Sequence, residues 1–275
     1  MSNFVFFGTP YVASETLSHL IEAGFTPSLV VTNPDARRGR GMELHPSPVK
    51  VLAEEYNIPV LTPEKLDEDT QKEILLGNPE YAIVVAYGKI FPEELINAFP
   101  RGVLNVHYSL LPKYRGATPT EAALLHGDAV TGVTVQKMVK ELDAGDVIAQ
   151  REIPIDPLET TLELRPRLIT LGAELLVETL PKYLDGSITP IAQDHSKATK
   201  CGKFTKSDGL LDLDAPAIEN WNKYRAYKEW PGTYFFKGDK RVKITDATLT
   251  PNGVFQILKV IPEGKKEVDY ATFQT

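Results

Sequence analysis

Hydrophobic residues in the first half of the chain fall into short runs that are separated by longer amphipathic stretches. The runs are rich in β-branched and aromatic residues and contain few polar positions, which is typical of strands buried on both faces. They lie at Phe4–Phe7, Leu29–Thr32, Ala82–Ala86 and Val103–Val106. Because strands that alternate with helices pair in parallel, we predict an α/β fold with a Rossmann-like, doubly wound, mostly parallel sheet.

Two of the amphipathic stretches carry clear helix signals. Val12–Ala23 has one apolar stripe and ends before Gly24. Val49–Tyr56 follows the pair Ser47-Pro48, which is a typical helix start. These stretches therefore predict helices that connect the strands of the sheet.

The chain after the fourth strand predicts a strand pair and a long helix. Val133–Val139 and Val147–Ile153 are the strand candidates, and a helical pattern extends over Leu162–Tyr183 until Gly186. Pro166 lies inside that pattern, where its ring and its missing N–H disturb a helix. We expect it either to mark the true start of the helix or to kink its first turns.

A polar segment without periodicity, residues 193–206, divides the chain. Strand candidates follow it at Thr233–Lys237, Val242–Thr245 and Val254–Val260. We predict a first domain over residues 1–190, a linker over 191–206 and a small β-rich domain over 207–275. The small domain resembles the open β-barrel of oligonucleotide-binding folds.

The composition excludes several classes of protein. With 275 residues, 42% hydrophobic and 24% charged, the chain has ordinary globular usage and room for two domains. Cys201 is the only cysteine, so neither an intrachain disulfide nor a cysteine-based zinc site is expected. No apolar run reaches membrane-spanning length. We therefore expect a cytoplasmic protein without a membrane partner or an obligatory protein partner.

The charge is distributed unevenly along the chain. Residues 197–275 hold 14 Lys/Arg and 10 Asp/Glu, whereas residues 1–196 hold 16 and 27. A basic module on an acidic body can hold a polyanion while the body does the chemistry. An excess this small is also common on ordinary solvated surfaces, so the asymmetry alone leaves both interpretations open.

Polar residues interrupt the fourth strand at its carboxyl end. Side chains alternate along a strand, so Asn105 and His107 project to the same side. Ligands bind at this edge of open α/β sheets, although a single histidine after a strand is more often structural. The segment Ser109–Gly116 follows directly, and a second loop, Glu141–Asp146, places carboxylates beside a glycine between two strands.

Together Asn105, His107, the run SLLPKYRG at Ser109–Gly116 and the loop ELDAGD at Glu141–Asp146 resemble the folate-dependent formyltransferase family. The resemblance covers nearly the whole chain. Members of the family use an Asn, a His and an Asp in this order, which implies that Asn105, His107 and Asp143 are catalytic. Asp146 is then interpreted as a turn carboxylate.

The resemblance implies 10-formyltetrahydrofolate as the formyl donor and no metal. Transfer of a formyl group to an amine passes through a tetrahedral oxyanion, which a neutral amide donor such as Asn105 can stabilise. His107 would help to hold the oxyanion and to move protons. Asp143 would orient the histidine ring and position a water through which the incoming amine loses its proton.

The same resemblance implies where the folate lies. Its pterin is expected against Val85–Ile90 and the loop before Asp143, with Ser109–Pro112 lining the site, and Gly88 permits close approach of the backbone. The expected folate contacts are Ala86, Tyr87, Gly88, Ile90, Ser109, Leu110, Leu111 and Pro112.

A cationic loop follows the second strand. Arg37, Arg38 and Arg40 lie beside Gly39 and Gly41, and Lys50 lies in the helix that follows. In isolation such a loop is more often a solvated surface loop. Asp35–Lys50 resembles the basic loop of the family branch that formylates initiator methionyl-tRNA, which implies contact with the acceptor stem. Candidate phosphate contacts in the basic tail are Lys203, Lys206, Lys223, Arg225, Lys240, Arg241 and Lys243.

Three other functions remain open at this point. An amino-sugar N-formyltransferase would use the same Asn, His and Asp but would need a nucleotide-sugar pocket and no polycationic loop. A glycinamide ribonucleotide formyltransferase would leave the second domain unexplained. A non-catalytic RNA-binding protein of the same fold would bind tRNA without transferring formate.

Overall fold

The computed structural model describes residues 3–38 and 42–274, with the backbone alone at Arg38. The strands are β1 Phe4–Gly8, β2 Leu29–Val31, β3 Ala36–Arg38, β4 Glu43–His45, β5 Val60–Leu61, β6 Tyr81–Val85, β7 Val103–His107, β8 Arg115–Gly116, β9 Val130–Lys137, β10 Val147–Pro154, β11 Lys200–Cys201, β12 Thr233–Lys237, β13 Lys240–Leu249, β14 Phe255–Pro262 and β15 Val268–Asp269. The helices are α1 Tyr11–Glu22, α2 Pro48–Glu55, α3 Glu68–Ile74, α4 Glu93–Asn97, α5 Pro119–Leu125, α6 Thr161–Leu184, α7 Ala217–Ala226 and α8 Tyr270–Gln274.

A seven-stranded sheet forms in the order β10-β9-β7-β6-β1-β2-β5. Strands β5, β2, β1, β6 and β7 pair in parallel, whereas β9 runs antiparallel to β7. Every residue of β1 and β6 is buried, which explains why these segments are apolar at consecutive positions. The predicted α/β fold with a mostly parallel sheet is confirmed.

The strand order places a ligand crevice at one edge of this sheet. From β1 the chain proceeds outwards through β2 to β5, and it then returns to β6 on the other side of β1. The order reverses between β1 and β6, and crevices outside the carboxyl ends of such strands bind ligands in open α/β folds. The segments that follow β6 and β7 both begin at this edge.

The long helix α6 begins at Thr161, so of the two alternatives for Pro166 the first, that it marks the start of the helix, is wrong. The side chain of Glu163 accepts a hydrogen bond from the Thr160 N–H at 2.9 Å, and the Thr160 hydroxyl accepts one from the Leu162 N–H at 3.2 Å. This capping arrangement starts the helix upstream, and the proline then costs one intrahelical hydrogen bond.

Within the described ranges no helix, α6 included, is long and apolar enough to cross a membrane.

The chain forms two compact units. The first comprises Met1–Arg115, Gly132–Arg151 and Leu168–Ala198, and the second comprises Gly116–Thr131, Glu152–Arg167 and Thr199–Thr275. The second unit therefore includes two segments from within the predicted domain 1–190. The boundaries at 190 and 206 stay a prediction.

The second unit contains an antiparallel sheet in the order β12-β13-β14-β15. Its core is formed by α7 and the sheet, with Trp221, Tyr224, Phe235 and Val260 among the buried residues. The three strands predicted after residue 232 correspond to β12, β13 and β14, and the predicted β-rich C-terminal fold is confirmed.

Candidate active site

Two neighbouring antiparallel strands carry four polar residues that face the same side of the sheet. In the register of β7 and β9, Asn105 lies opposite Gln136 and His107 lies opposite Thr134. His107, Thr134 and Gln136 are each at most 5% exposed. Directly paired residues share a face, so these side chains form a small polar cluster on a largely apolar sheet.

The carboxylate of Asp143 lies against this cluster. Its Oδ1 accepts a hydrogen bond from Gln136 Nε2 at 3.1 Å and lies 3.5 Å from Asn105 Nδ2. His107 Nδ1 lies 3.7 Å from the same oxygen, and the His107 and Asp143 side chains are 6% and 9% exposed. The structure thus brings together the three residues predicted to be catalytic, although they are up to 38 positions apart in the sequence.

The ring of His107 is oriented by a backbone carbonyl. His107 Nε2 lies 2.9 Å from the oxygen of Tyr114. A carbonyl only accepts, so Nε2 carries the hydrogen of this bond and Nδ1 is the ring atom that faces Asp143. Nδ1 is therefore the atom that can take up or release a proton at the site.

The two acidic residues of the ELDAGD loop have different surroundings. The Asp146 side chain is exposed, and its carbonyl accepts a hydrogen bond from the Lys137 N–H at 2.9 Å. A Cβ at Gly145 would lie 1.8 Å from the Lys137 oxygen, so only glycine allows the loop to pack against the end of β9. This close packing directs Asp143 to the polar cluster and leaves Asp146 at the surface.

Three residues with left-handed backbone conformations lie in the segments around the cluster. They are Ala86, Tyr114 and Asp143, with φ of 45°, 59° and 51°. Residues with a Cβ adopt this conformation at a cost of about 1–2 kcal/mol each. Such strain persists where the surroundings hold it, and it is often found at functional sites.

The loop after His107 is held by β9 and β10. The Thr134 hydroxyl donates to the carbonyl of Ser109 at 2.7 Å and accepts from the N–H of Leu111 at 3.1 Å. Gln150 Nε2 donates to the Leu111 oxygen at 2.7 Å and to the Thr134 hydroxyl at 2.9 Å. The loop is therefore fixed in position before any substrate binds.

The residues predicted to contact folate divide into accessible and buried groups. Ala86, Gly88 and Ile90 are exposed, Ile90 at 93%, and Leu110 and Pro112 are partly exposed. Ser109 and Leu111 are buried, and the Ser109 hydroxyl already donates to the Lys113 carbonyl at 2.6 Å.

Tyr87 belongs to the buried group. Its ring packs edge-on against Phe7 and Phe91, and burial raises the pKa of its hydroxyl to about 12. Its carbonyl accepts a hydrogen bond from Asn33 Nδ2 at 3.1 Å. Tyr87 therefore supports the turn after β6 from within, while its neighbours Ala86 and Gly88 face outwards.

The predicted cationic loop is built on a β-hairpin. Strands β3 and β4 pair with Arg37 opposite Leu44, and Arg37 Nη1 donates to the Met42 carbonyl at 3.0 Å. Arg38 is the last residue of β3, and Arg40 lies outside the described residues. Arg37 is exposed, so its charge faces solvent.

Lys50 and Arg225, both predicted phosphate contacts, have partners within the protein. Lys50 Nζ forms an ion pair with Asp35 at 2.9 Å, so a phosphate would compete with that carboxylate. Arg225 is 4% exposed, and it donates to the Asn222 side chain at 3.0 Å and to the Leu124 carbonyl at 3.4 Å. Desolvation lowers the pKa of Arg225. The prediction of a phosphate contact at Arg225 is wrong because this guanidinium is part of the core of the second unit.

Sequence reasoning missed Gln136 and Thr134. The available signal was the alternation of side chains along β9, which places Thr134 and Gln136 on one face of that strand. It is the same face of the sheet on which β7 carries Asn105 and His107. Without the register of the two strands, that signal does not distinguish these residues from ordinary buried polar positions. In the ranges 3–38 and 42–274, no three His, Cys, Asp or Glu side chains are close enough together to hold a metal ion.

Comparisons with known proteins cover nearly the whole chain. Residues 2–180 match the family model described as formyl transferase, and residues 203–253 match the model of the formyl transferase C-terminal domain. The chain is 45% identical to the methionyl-tRNA formyltransferase of Thermotoga sp. (strain RQ2), with 89% of this chain and 78% of that protein covered. It is 41% identical to the methionyl-tRNA formyltransferase of Koribacter versatilis (strain Ellin345), with 98% and 94% covered.

Solved structures with the same fold are more distant in sequence. The N-formyltransferase of Helicobacter canadensis, in complex with folinic acid and dTDP-3-aminofucose, superposes with a TM-score of 0.71 at 19% identity and covers 91% of this chain and 88% of that one. A sugar N-formyltransferase from a Shewanella species has a TM-score of 0.67 at 17% identity, with 94% and 96% covered. At these identities the likeness concerns the fold.

Proposed function

Because this chain belongs to the family of methionyl-tRNA formyltransferases, we propose that Asn105, His107 and Asp143 form its active site. The protein transfers the formyl group of 10-formyltetrahydrofolate to the free amino group of initiator methionyl-tRNA, and the N-formylmethionyl-tRNA that results serves translation initiation. The observation that carries the assignment of the site is the convergence of Asn105, His107 and Gln136 on Oδ1 of Asp143.

Asn105 is suited to stabilise the charge that develops on the formyl oxygen. Its amide is partly exposed at the carboxyl end of β7, where it can donate a hydrogen bond that strengthens as the carbonyl oxygen becomes negative. One such donor typically contributes about 3–4 kcal/mol to transition-state stabilisation. A neutral donor also adds no charge of its own to the site before and after the reaction.

His107 and Asp143 handle the protons of the transfer. A bond forms between the amino nitrogen and the formyl carbon, the bond from that carbon to N10 of the folate breaks, and one proton passes from the amine to N10. His107 Nδ1 can hold this proton, because Nε2 is already engaged with Tyr114. The Asp143 carboxylate at 3.7 Å stabilises the ring while it is charged.

The folate lies along the turn after β6 and the loop after β7 in this proposal. Ile90 offers an exposed apolar surface, and beyond its two chain neighbours no described residue lies within 4 Å of the position that a Cβ of Gly88 would take. An aromatic ring can therefore approach the backbone of this turn closely. Ala86, Leu110 and Pro112 complete the accessible surface, while Tyr87, Ser109 and Leu111 hold it in place.

The basic hairpin binds the tRNA in this proposal. Arg37, Arg38 and Arg40 supply cations for the phosphates, and Lys50 joins them where it exchanges Asp35 for a phosphate. The exposed lysines of the basic tail add contacts to tRNA phosphates, which do not depend on the base sequence of the tRNA. We also propose that the protein works in the cytoplasm, where charged initiator tRNA is used.

A competition between acceptors tests the function. Purified protein receives 10-formyltetrahydrofolate together with charged initiator tRNA, free methionine and an amino-sugar nucleotide, and mass spectrometry identifies which of them acquires the formyl group. We expect the charged tRNA alone to be formylated. Formylation of the amino-sugar nucleotide instead would assign the protein to sugar modification, and binding of tRNA without transfer would indicate a non-catalytic RNA-binding protein.

A further inference from the structure

Gln193 has a fully satisfied side chain at the back of the candidate active site. It is 6% exposed and lies in the segment that the sequence predicts to be a linker. Its Oε1 accepts hydrogen bonds from Nε and Nη2 of Arg115, at 3.1 and 2.6 Å. Its Nε2 donates to the carbonyls of Asp143 and Gly145, at 2.9 and 2.7 Å. All four hydrogen-bonding positions of the amide are thus used.

The backbone places Gln193 accurately. Ile191 and Val147 exchange two backbone hydrogen bonds of 2.8 Å each, two residues before Gln193. His195 adds a contact on the other side, where its Nδ1 accepts from Arg115 Nη2 at 3.1 Å. The segment is therefore a fixed part of the first unit up to this point.

The three partners of Gln193, which are Arg115, Asp143 and Gly145, belong to the two segments that position His107 and Asp143. Arg115 directly follows Tyr114, whose carbonyl orients His107. Asp143 carries the carboxylate that faces His107 Nδ1. Gln193 thus closes a ring of contacts that passes from His107 through Tyr114 and Arg115 to Gln193, and through Asp143 back to His107.

We propose that Gln193 is a positioning residue that sets the distance between His107 and Asp143, an inference that rests on the proposed function. Tyr114 and Asp143 both have left-handed backbone conformations that relax when nothing holds them. The Gln193 side chain forms hydrogen bonds both to the carbonyl of Asp143 and to the guanidinium of Arg115, the residue after Tyr114. A displacement of about 1 Å at a reacting group can cost about 100-fold in rate. Loss of these hydrogen bonds is therefore expected to lower the turnover rate.

Two substitutions of Gln193 test the proposal. In Gln193→Leu all four hydrogen bonds are lost at similar volume. In Gln193→Glu the carboxylate still accepts from Arg115 but cannot donate to the carbonyls of Asp143 and Gly145. We expect kcat to fall by about 10-fold to 100-fold in both variants, with the KM for 10-formyltetrahydrofolate and for charged tRNA within about twofold of the parent.

Gln71→Leu is the matched control. Gln71 lies in α3, and its Nε2 donates to the Leu66 carbonyl at 2.9 Å, so the same kind of bond is removed away from the candidate site. We expect Gln71→Leu to keep the parent kcat. Thermal unfolding of all variants shows how much stability each change costs.

A double substitution separates positioning from general damage. If Gln193 acts through Asp143, Gln193→Leu lowers the single-turnover rate when it is introduced into the parent protein. The same substitution then has no further effect on that rate when it is introduced into the Asp143→Ala variant. Additive effects would overturn the proposal, and so would a parent-like kcat in either Gln193 variant. Unfolding of both Gln193 variants while Gln71→Leu stays folded would assign Gln193 a purely structural role. A parent protein that does not formylate charged tRNA would instead overturn the proposed function.

Discussion

At the scale of single residues, the candidate site is a set of polar groups that share one carboxylate oxygen. Asp143 Oδ1 has an amide donor, a longer contact to a second amide and an imidazole nitrogen around it. Each partner lies on a rigid strand, and the carboxylate is held by its own strained loop. Small changes in side-chain chemistry are therefore expected to alter turnover before they alter the fold.

Removal of the Asn105 or the His107 side chain should stop formyl transfer and leave tRNA binding intact. We expect Asn105→Ala and His107→Ala each to reduce kcat by about 100-fold or more, because they act on the developing oxyanion and its protons. The affinity for charged tRNA should stay within about twofold, since neither residue is proposed to meet a phosphate. Steady-state kinetics and filter binding measure the two quantities, and a variant with full turnover would contradict the assignment.

Asp143 and Asp146 provide a matched pair of substitutions in one loop. Asp143→Asn keeps the shape but removes the charge that faces His107, so we expect activity to fall by about 100-fold. Asp146→Asn changes an exposed carboxylate whose backbone alone contacts β9, so kcat should stay at the parent value. The reverse result would make Asp146 the catalytic carboxylate.

At the scale of elements, the basic hairpin is expected to act as a separate module. Strands β3 and β4 hold Arg37 at the surface, and its partner within the hairpin is a backbone carbonyl. Its charge is therefore available to a phosphate, unlike that of Lys50, which faces Asp35. The expected result of removing the arginines is a loss of electrostatic binding with unchanged chemistry.

The salt dependence of tRNA binding tests this expectation. Each cation that neutralises a phosphate releases counterions, so replacing Arg37, Arg38 and Arg40 together by Ala should lower the slope of log affinity against log salt by about 2 to 3. The KM for charged tRNA should rise, and the KM for folate should barely change. Replacing the three surface lysines Lys65, Lys72 and Lys182 by Ala is the charge-matched control. An unchanged slope in the arginine variant would make the hairpin an ordinary solvated surface.

Local sequence signals predicted the longer strands of both sheets and the helices α1, α2 and α6, because apolar runs and helix caps are patterns of neighbouring residues. The Ser47 hydroxyl accepts a hydrogen bond from the Lys50 N–H at 3.0 Å, as expected for a helix that starts at Ser47-Pro48. The hairpin of β3 and β4 was not predicted, because its short strands are polar and exposed and lack an apolar period. The helical pattern over Leu162–Tyr183 corresponds closely to α6, and the capping interaction between Thr160 and Glu163 shows why the helix starts before Pro166.

At the scale of the whole molecule, the second unit contains segments from distant parts of the sequence. Helix α5 packs on α7, and the Thr161 hydroxyl bonds to the carbonyls of Arg225 and Ala226 at 3.0 and 3.1 Å. Trp221 Nε1 donates to the Pro157 carbonyl at 2.9 Å. Residues before 190 therefore pack against the C-terminal part of the chain and form hydrogen bonds with it.

A truncation distinguishes this organisation from two domains joined by a linker. A fragment of residues 1–206 lacks α7 and the sheet of the second unit, so the apolar faces of α5 and of the start of α6 become exposed. We expect it to unfold at least about 10 °C below the full chain, or to be degraded rapidly by protease. Circular dichroism and limited proteolysis measure this. A fragment with the unfolding temperature of the full chain would support the linear boundaries at 190 and 206.

The amino-acid order was enough to predict the sheet, its main helices and the position of Asn105 and His107 on one side of a strand. Apolar runs, helix caps and side-chain alternation are patterns of neighbouring residues, so they can be seen without the fold. The choice of Asp143 over Asp146 came from the family resemblance. In the structure the two carboxylates differ in exposure, because Gly145 packs against β9. Gln136 and Gln193 became apparent only through β-strand register and a loop that returns to the site. Arg225 was predicted to be a phosphate contact, and its burial follows from the packing of α7 on α5. Such contacts join residues that are far apart in sequence, so no local pattern encodes them.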